Sequence, residues 1–112
     1  MSSIDRTTFD ELSQMSGAEF INELIDTFLE DSPKLLVEMK TALAAGNADS
    51  FRRAAHSLKS NAATFGAGPL SQLAWEFELL GREKRLADVG DRLGALEAAL
   101  ASACNELKEL KS

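Results

Sequence analysis

NADSFRRAAHSLKSNAATFGAG, Asn47 to Gly68, is the stretch on which the reading of the fold turns. Set out at about 100° per residue, it reads as a helix. With His56 as the zero of angle, Phe51, Ala54, Leu58 and Phe65 fall about 140–180° away and make an apolar stripe, with Ala62 at its edge. Arg52, Lys59, Ser60 and Ala63 fall within about 60° of His56, and Arg53 borders that sector. The imidazole therefore points away from the core, among cations and small side chains. His56 is the only histidine in the chain. Ser60 and Ala63 leave room beside it for a bulky partner.

Downstream, Gly66 closes this helix and Gly68-Pro69 opens the next, with Pro69 at a first position where its missing N–H costs nothing. Leu70, Leu73, Ala74, Phe77 and Leu80 form the apolar face of a helix over 69–81, and Gly81 reads as its C′ residue. Trp75 and Leu79 lie opposite that face, where the N-terminal helix is expected to cover them; the alternative is a partly exposed docking surface. Arg82-Glu83-Lys84-Arg85 reads as a polar connection. Beyond it Leu86, Val89, Leu93, Leu96, Leu100, Ala103, Leu107 and Leu110 repeat with 3-4-3-4 spacing, the seam of a left-handed bundle helix over 86–110. Gly90 and Gly94 each cost that helix up to about 1 kcal/mol of propensity. Cys104, beside the seam, reads as a small packing residue.

Upstream, Phe20, Ile21, Leu24, Ile25, Phe28, Leu29, Leu35, Leu36, Met39 and Leu43 keep a helical period over 17–45. Pro33 interrupts the run and predicts a kink, or failing that a break, near Glu30–Pro33. Ser16 and Glu19 have capping-box spacing, flanked by Met15 and Phe20 at the positions of a hydrophobic staple. Thr8 and Glu11 suggest a second box opening a short helix over 8–15, after a frayed lead-in at 1–7. Gly46-Asn47 ends the long helix and begins the histidine helix, over 48–65, with Asn47 or Asp49 as its cap.

With 112 residues, 45% hydrophobic and 27% charged, the chain reads as one domain, 1–112, able to bury a core. Two prolines and no tyrosine, with abundant Ala, Leu and Glu, point to an all-α fold. The short connections predict an antiparallel up-and-down four-helix bundle with a short additional N-terminal helix. A net charge of −6 argues against nucleic acid or an anionic membrane as the main ligand. One Cys and one His cannot make a zinc site of the usual kind. Neither a signal peptide nor a membrane-spanning run is visible, so a cytoplasmic location is expected. There is no Gly-x-x-x-x-Gly-Lys-Ser/Thr run to hold a nucleotide.

His56-Ser57-Leu58-Lys59-Ser60, with Gly66 ten residues after the histidine, resembles the His-x-Leu-Lys-Gly…Gly signature of histidine-containing phosphotransfer (HPt) domains. The acidic-aromatic FINELIDTFLEDSPKLL before it and GAGPLSQLAWEFE after it extend the resemblance over about residues 8–110. Ser60 departs from the family's usual glycine but stays small. The resemblance implies a phosphorelay intermediate: His56 accepts a phosphoryl group from a receiver-domain aspartyl phosphate and passes it to another receiver aspartate. It implies no ATP-dependent kinase activity. The partners it implies are response-regulator receivers and a hybrid sensor kinase, with the chain expected to act as a monomer.

An imidazole needs no buried base to be nucleophilic near neutrality. Lys59, one turn along the same face, is expected to contact phosphoryl oxygens. Arg52, Arg53, Ser60, Ala63 and Gly66 form the expected docking face for an acidic partner. No carboxylate lies within a turn of His56 on that face. No cofactor of the chain's own is therefore expected, with Mg²⁺ belonging to the receiver. The competing reading is a non-catalytic interaction module, homodimeric through the last helix.

Overall fold

The local chemistry of Asn47 starts the helix that carries the histidine. Its Oδ1 accepts the N–H of Ser50 at 3.1 Å, satisfying a donor that the first helical turn leaves free. The computed structural model describes residues 3–111. Its helices are α1 (Arg6–Ser16), α2 (Ala18–Ala45), α3 (Ala48–Thr64), α4 (Gly68–Arg82) and α5 (Leu93–Leu110), with 3-10 turns at Leu86–Asp88 and Gly90–Arg92. Helix α3 packs between α2 and α4, while α5 closes the ring against both of them. The short α1 lies along α2. This is the all-α four-helix bundle with an added N-terminal helix that the periodicities predict.

The predicted stripe of α3 is the centre of the core. Phe51, Ala54, Leu58, Ala62 and Phe65 are all buried. Phe51 stands edge-on to Phe77 of α4 at 6.2 Å between ring centroids, and Phe65 meets Phe28 of α2 at 5.4 Å. Each such ring contributes about 1.5–3 kcal/mol by leaving water. From α5 and the turns before it come Val89, Leu96, Leu100, Ala103 and Leu107, also buried. Most of the seam read as a possible dimer surface is thus consumed within the chain, with Leu86, Leu93 and Leu110 left half-buried.

Several boundaries differ from the expectations. The last α-helix begins at Leu93, not at residue 86, because Gly90 sits at φ +51° and the segment before it winds as 3-10 turns. A turn of three residues keeps Leu86 and Val89 on one face, so the seam spacing survives the change of helix type. Helix α2 runs unbroken through Pro33, beside a fully buried Ser32. The two capping boxes do not form. Asp5 caps α1, accepting from Thr7 N–H at 3.3 Å and Thr8 Oγ1–H at 2.8 Å, and Gly17 starts α2 without a side-chain cap. Met15 and Phe20 are 86% and 51% exposed, so there is no staple.

The lead-in is more ordered than expected: Ile4 is fully buried and Asp5 N–H donates to the Gly66 carbonyl at 2.7 Å. Residues 1 and 2 of that lead-in, and residue 112, lie outside the described residues. Gly66 holds φ +73°, and a Cβ there would meet Thr8 Cβ at 2.8 Å and the Asp5 carbonyl oxygen at 3.1 Å. Gly66→Ala is expected to cost about 1–3 kcal/mol. Urea unfolding of the variant checks this, with loosening of the N-terminal segment visible in amide exchange.

No helix among the described residues is long and apolar enough to cross a membrane.

Candidate functional site

Helix α3 exposes His56 because the stripe opposite it is what the bundle buries. The imidazole is 55% exposed, flanked by Ser60 and Ala63, both exposed. What the sequence does not place beside it is Glu78. This carboxylate reaches across from α4, its side chain only 3% exposed, and puts Oε2 2.9 Å from His56 Nδ1. The absence of a carboxylate near His56 holds for its own helix and fails for the neighbouring one.

Glu78 is held ionised by its surroundings. Burial opposes its charge, but Lys59 Nζ lies 2.7 Å from Oε1 and the hydrogen bonds and charges of Lys59 and His56 prevail. Its carboxyl group stays below the usual carboxylate range. Arg82, one turn along α4, adds its guanidinium at 3.1 Å from Oε2. An ionised carboxylate only accepts hydrogen bonds, so His56 donates from Nδ1 and carries its proton there. In the neutral ring this tautomer leaves the lone pair on Nε2, and no partner occupies that nitrogen among the described residues. The arrangement orients the ring as a carboxylate orients the histidine of a catalytic triad.

The depressed Glu78 pKa makes a stability prediction. A carboxylate more acidic in the folded than in the unfolded chain stabilises the fold above its unfolded pKa, about 4.3. That contribution disappears as pH falls through the folded value. Glu78→Gln is therefore expected to be less stable than the unsubstituted chain at pH 7, with the gap narrowing below about pH 4.5. Thermal melts between pH 3 and pH 7 read this directly.

The remaining expected site residues take different places. Arg52 and Arg53 both turn to Asp49, at 3.0 and 2.9 Å, and remain at the surface on the His56 side of α3. Gly66 is a seat for the N-terminal segment and only one wall of a groove that Lys59, Ala63, Ser71 and Trp75 also line. Trp75 is 47% exposed and Leu79 half-buried, so the N-terminal helix does not cover Trp75 as expected, although Asp5 and Thr8 line the same groove. Gly81 is not a C′ residue. It lies inside α4, buried, where a Cβ would stand 3.0 Å from the Arg52 backbone. Among the described residues, no group of three or more His, Cys, Asp or Glu is placed to hold a metal ion.

The sequence model of the Hpt domain matches residues 23–109. The chain belongs to the Hpt domain family. Within it, this Hpt chain is 34% identical over 76 residues to the sensor protein TorS of Escherichia coli (strain K12). The alignment covers 68% of the chain and 8% of TorS, so the chain spans a small fraction of that relative's length. The crystal structure of histidine-containing phosphotransfer protein B (HptB) from Pseudomonas aeruginosa PAO1 superposes with a TM-score of 0.91 at 28% identity. That match covers 97% of this Hpt chain and 94% of the other.

The signal for Glu78 was present but incomplete. About 40° from Ala74 on a helical wheel, it is a charge set on an apolar face. Such a residue needs a partner, and the partner lies on another helix.

Proposed function

We propose that this Hpt domain is a phosphorelay carrier: Nε2 of His56 takes the phosphoryl group from a receiver-domain aspartyl phosphate and yields it to the aspartate of another receiver. The observation that carries the reading is the exposed ring with Nδ1–H pinned on a buried carboxylate and Nε2 left outward. In the step, the Nε2–P bond forms as the acyl phosphate P–O bond breaks. The electron pair of that bond returns to the aspartate carboxylate. The ring, still protonated at Nδ1, becomes cationic, and Glu78 faces that charge as it develops. Reversal breaks the N–P bond with the same proton in place, which makes the ring a good leaving group.

Lys59 serves this chemistry from the same cluster, within reach of the phosphoryl oxygens once it swings from Glu78. Phosphoryl transfer proceeds through a loose transition state governed by positioning and charge, so a cation there matters more than a base. Arg52 and Arg53 favour encounter with an acidic receiver, which would bring Mg²⁺ with its own carboxylates. Ser60 and Ala63 keep the approach to Nε2 open. A hybrid sensor kinase and response regulators are the partners in this reading, and the chain itself phosphorylates nothing from ATP.

The test is incubation with a phosphorylated receiver domain. Acid-labile, base-stable label on His56 is expected, discharged by adding an unphosphorylated receiver. Absence of label with every receiver of the source organism would overturn the reading. Lys59→Ala should slow uptake about 10-fold or more while the protein stays folded.

A further inference from the structure

Glu78 poses a charge problem. A carboxylate 2.9 Å from a ring nitrogen favours the protonated imidazole, and a protonated ring has no lone pair to attack with. An ion pair of that kind, left to itself, would disarm His56. The charged groups around the ring show how the problem is met. Lys59 on α3 takes Oε1, and Arg82 on α4 takes Oε2, the oxygen that also accepts from the ring. Arg52 and Arg53 are spent on Asp49. Glu38 of α2, in a groove beside Arg53 and Ser57, and Asp5, beyond Lys59, are the acids of the flanking elements. Two cations on one carboxylate leave the cluster with a net positive charge before the ring is counted.

The geometry points to Arg82 as a positioning residue for phosphotransfer, acting through Glu78: by neutralising Oε2 it lets the carboxylate hold the Nδ1 proton without converting His56 to the imidazolium. This rests on the phosphorelay reading for its consequence in rate, and on Glu78 alone for its consequence in charge. From the sequence Arg82 reads as part of a polar connection, yet the structure places it in the last turn of α4, one turn after Glu78. Its side chain is 63% exposed, so its influence is screened and moderate. Nor does it need to touch the phosphoryl group.

Phosphoramidate as donor removes receiver docking from the measurement. The Nε2–P bond forms while the donor's P–N bond breaks, and ammonia leaves with that electron pair. The uptake rate is compared from pH 6 to pH 9 at low salt for the unsubstituted chain, Arg82→Gln, Arg82→Lys, Glu78→Gln and the Glu78→Gln/Arg82→Gln double variant. At pH 6, Arg82→Gln should be about two- to fivefold slower, the scale of one exposed ion pair. The deficit should close by pH 9, shrink in high salt and be restored by Arg82→Lys. In the Glu78→Gln background, Arg82→Gln should change nothing further.

A parallel titration of the ring, followed through its Cε1–H resonance without any donor, should move to higher pH in Arg82→Gln relative to the unsubstituted chain. A deficit equal at every pH, or one that persists without the Glu78 charge, would overturn the inference and make Arg82 a direct phosphoryl contact. Superimposable profiles and titrations would overturn it outright. Failure of the unsubstituted chain to take label, with the ring titration still displaced by Arg82→Gln, would remove the phosphorelay reading and leave the charge inference standing.

Discussion

His56→Gln is expected to abolish phosphoryl uptake and to leave the thermal midpoint within about 3 °C of the unsubstituted chain. The loss is complete because no other side chain in the cluster presents an unprotonated nitrogen: Lys59 and Arg82 are cations tied to Glu78. The stability is spared for a separate reason. The ring is more than half exposed, and its one structural bond, to Glu78 at 2.9 Å, is a donation that a glutamine amide can imitate. A buried Glu78 is therefore not left without its third donor, the situation that costs most in a buried network. Labelling from a phosphorylated receiver measures the first effect and a melting curve the second. A variant that keeps label, even at a few per cent, would place the acceptor elsewhere.

What the sequence carried and what it withheld separate along a physical line. The stripe Phe51, Ala54, Leu58, Phe65 is legible because an amphipathic helix writes its burial into a local period, and each of those residues is buried. By the same token the outward placement of His56 was legible as the complement of the stripe. The cap of α3 was legible to within two candidates, Asn47 and Asp49, because capping is chemistry within three residues of chain; Asn47 is the one that forms it.

Ser16 fails as a cap although its spacing is right, because Asp5 and the contact with Gly66 set where α1 begins and α1 runs through Ser16. Glu78 and Gly81 fail for one shared reason: their meaning lies in a partner about 20–30 positions away, and periodicity holds no information about which helix will stand opposite. The Hpt resemblance supplies the histidine and the bundle. It does not supply this carboxylate.

Gly81 is where that tertiary information matters most, and Gly81→Val should damage both stability and transfer. In the structure α4 passes so close to α3 at this point that a Cβ would lie 3.0 Å from Arg52 N, Cα and Cβ. A flexible side chain could move aside, but here most of the obstruction is backbone, so the helices themselves must part. Overpacking of this kind typically costs about 1–3 kcal/mol, and a β-branched side chain stands at the upper end. A midpoint lowered by about 10–20 °C is expected.

The functional effect should exceed what lost stability explains. Gly81 lies three residues after Glu78 on α4, and Arg52 lies four before His56 on α3, so the close approach sits one helical turn from the 2.9 Å contact. Parting the helices there withdraws the carboxylate from Nδ1 and frees the ring to rotate. Gly81→Ala is the informative companion: the smaller intrusion is partly offset by about 1 kcal/mol of gained helix propensity. It should remain folded at 25 °C and still take up phosphoryl groups more slowly than the unsubstituted chain. If Gly81→Ala were folded and transferred at the unsubstituted rate, the approach of α4 to α3 would be a matter of packing alone, and Glu78 would not need to stand where it does.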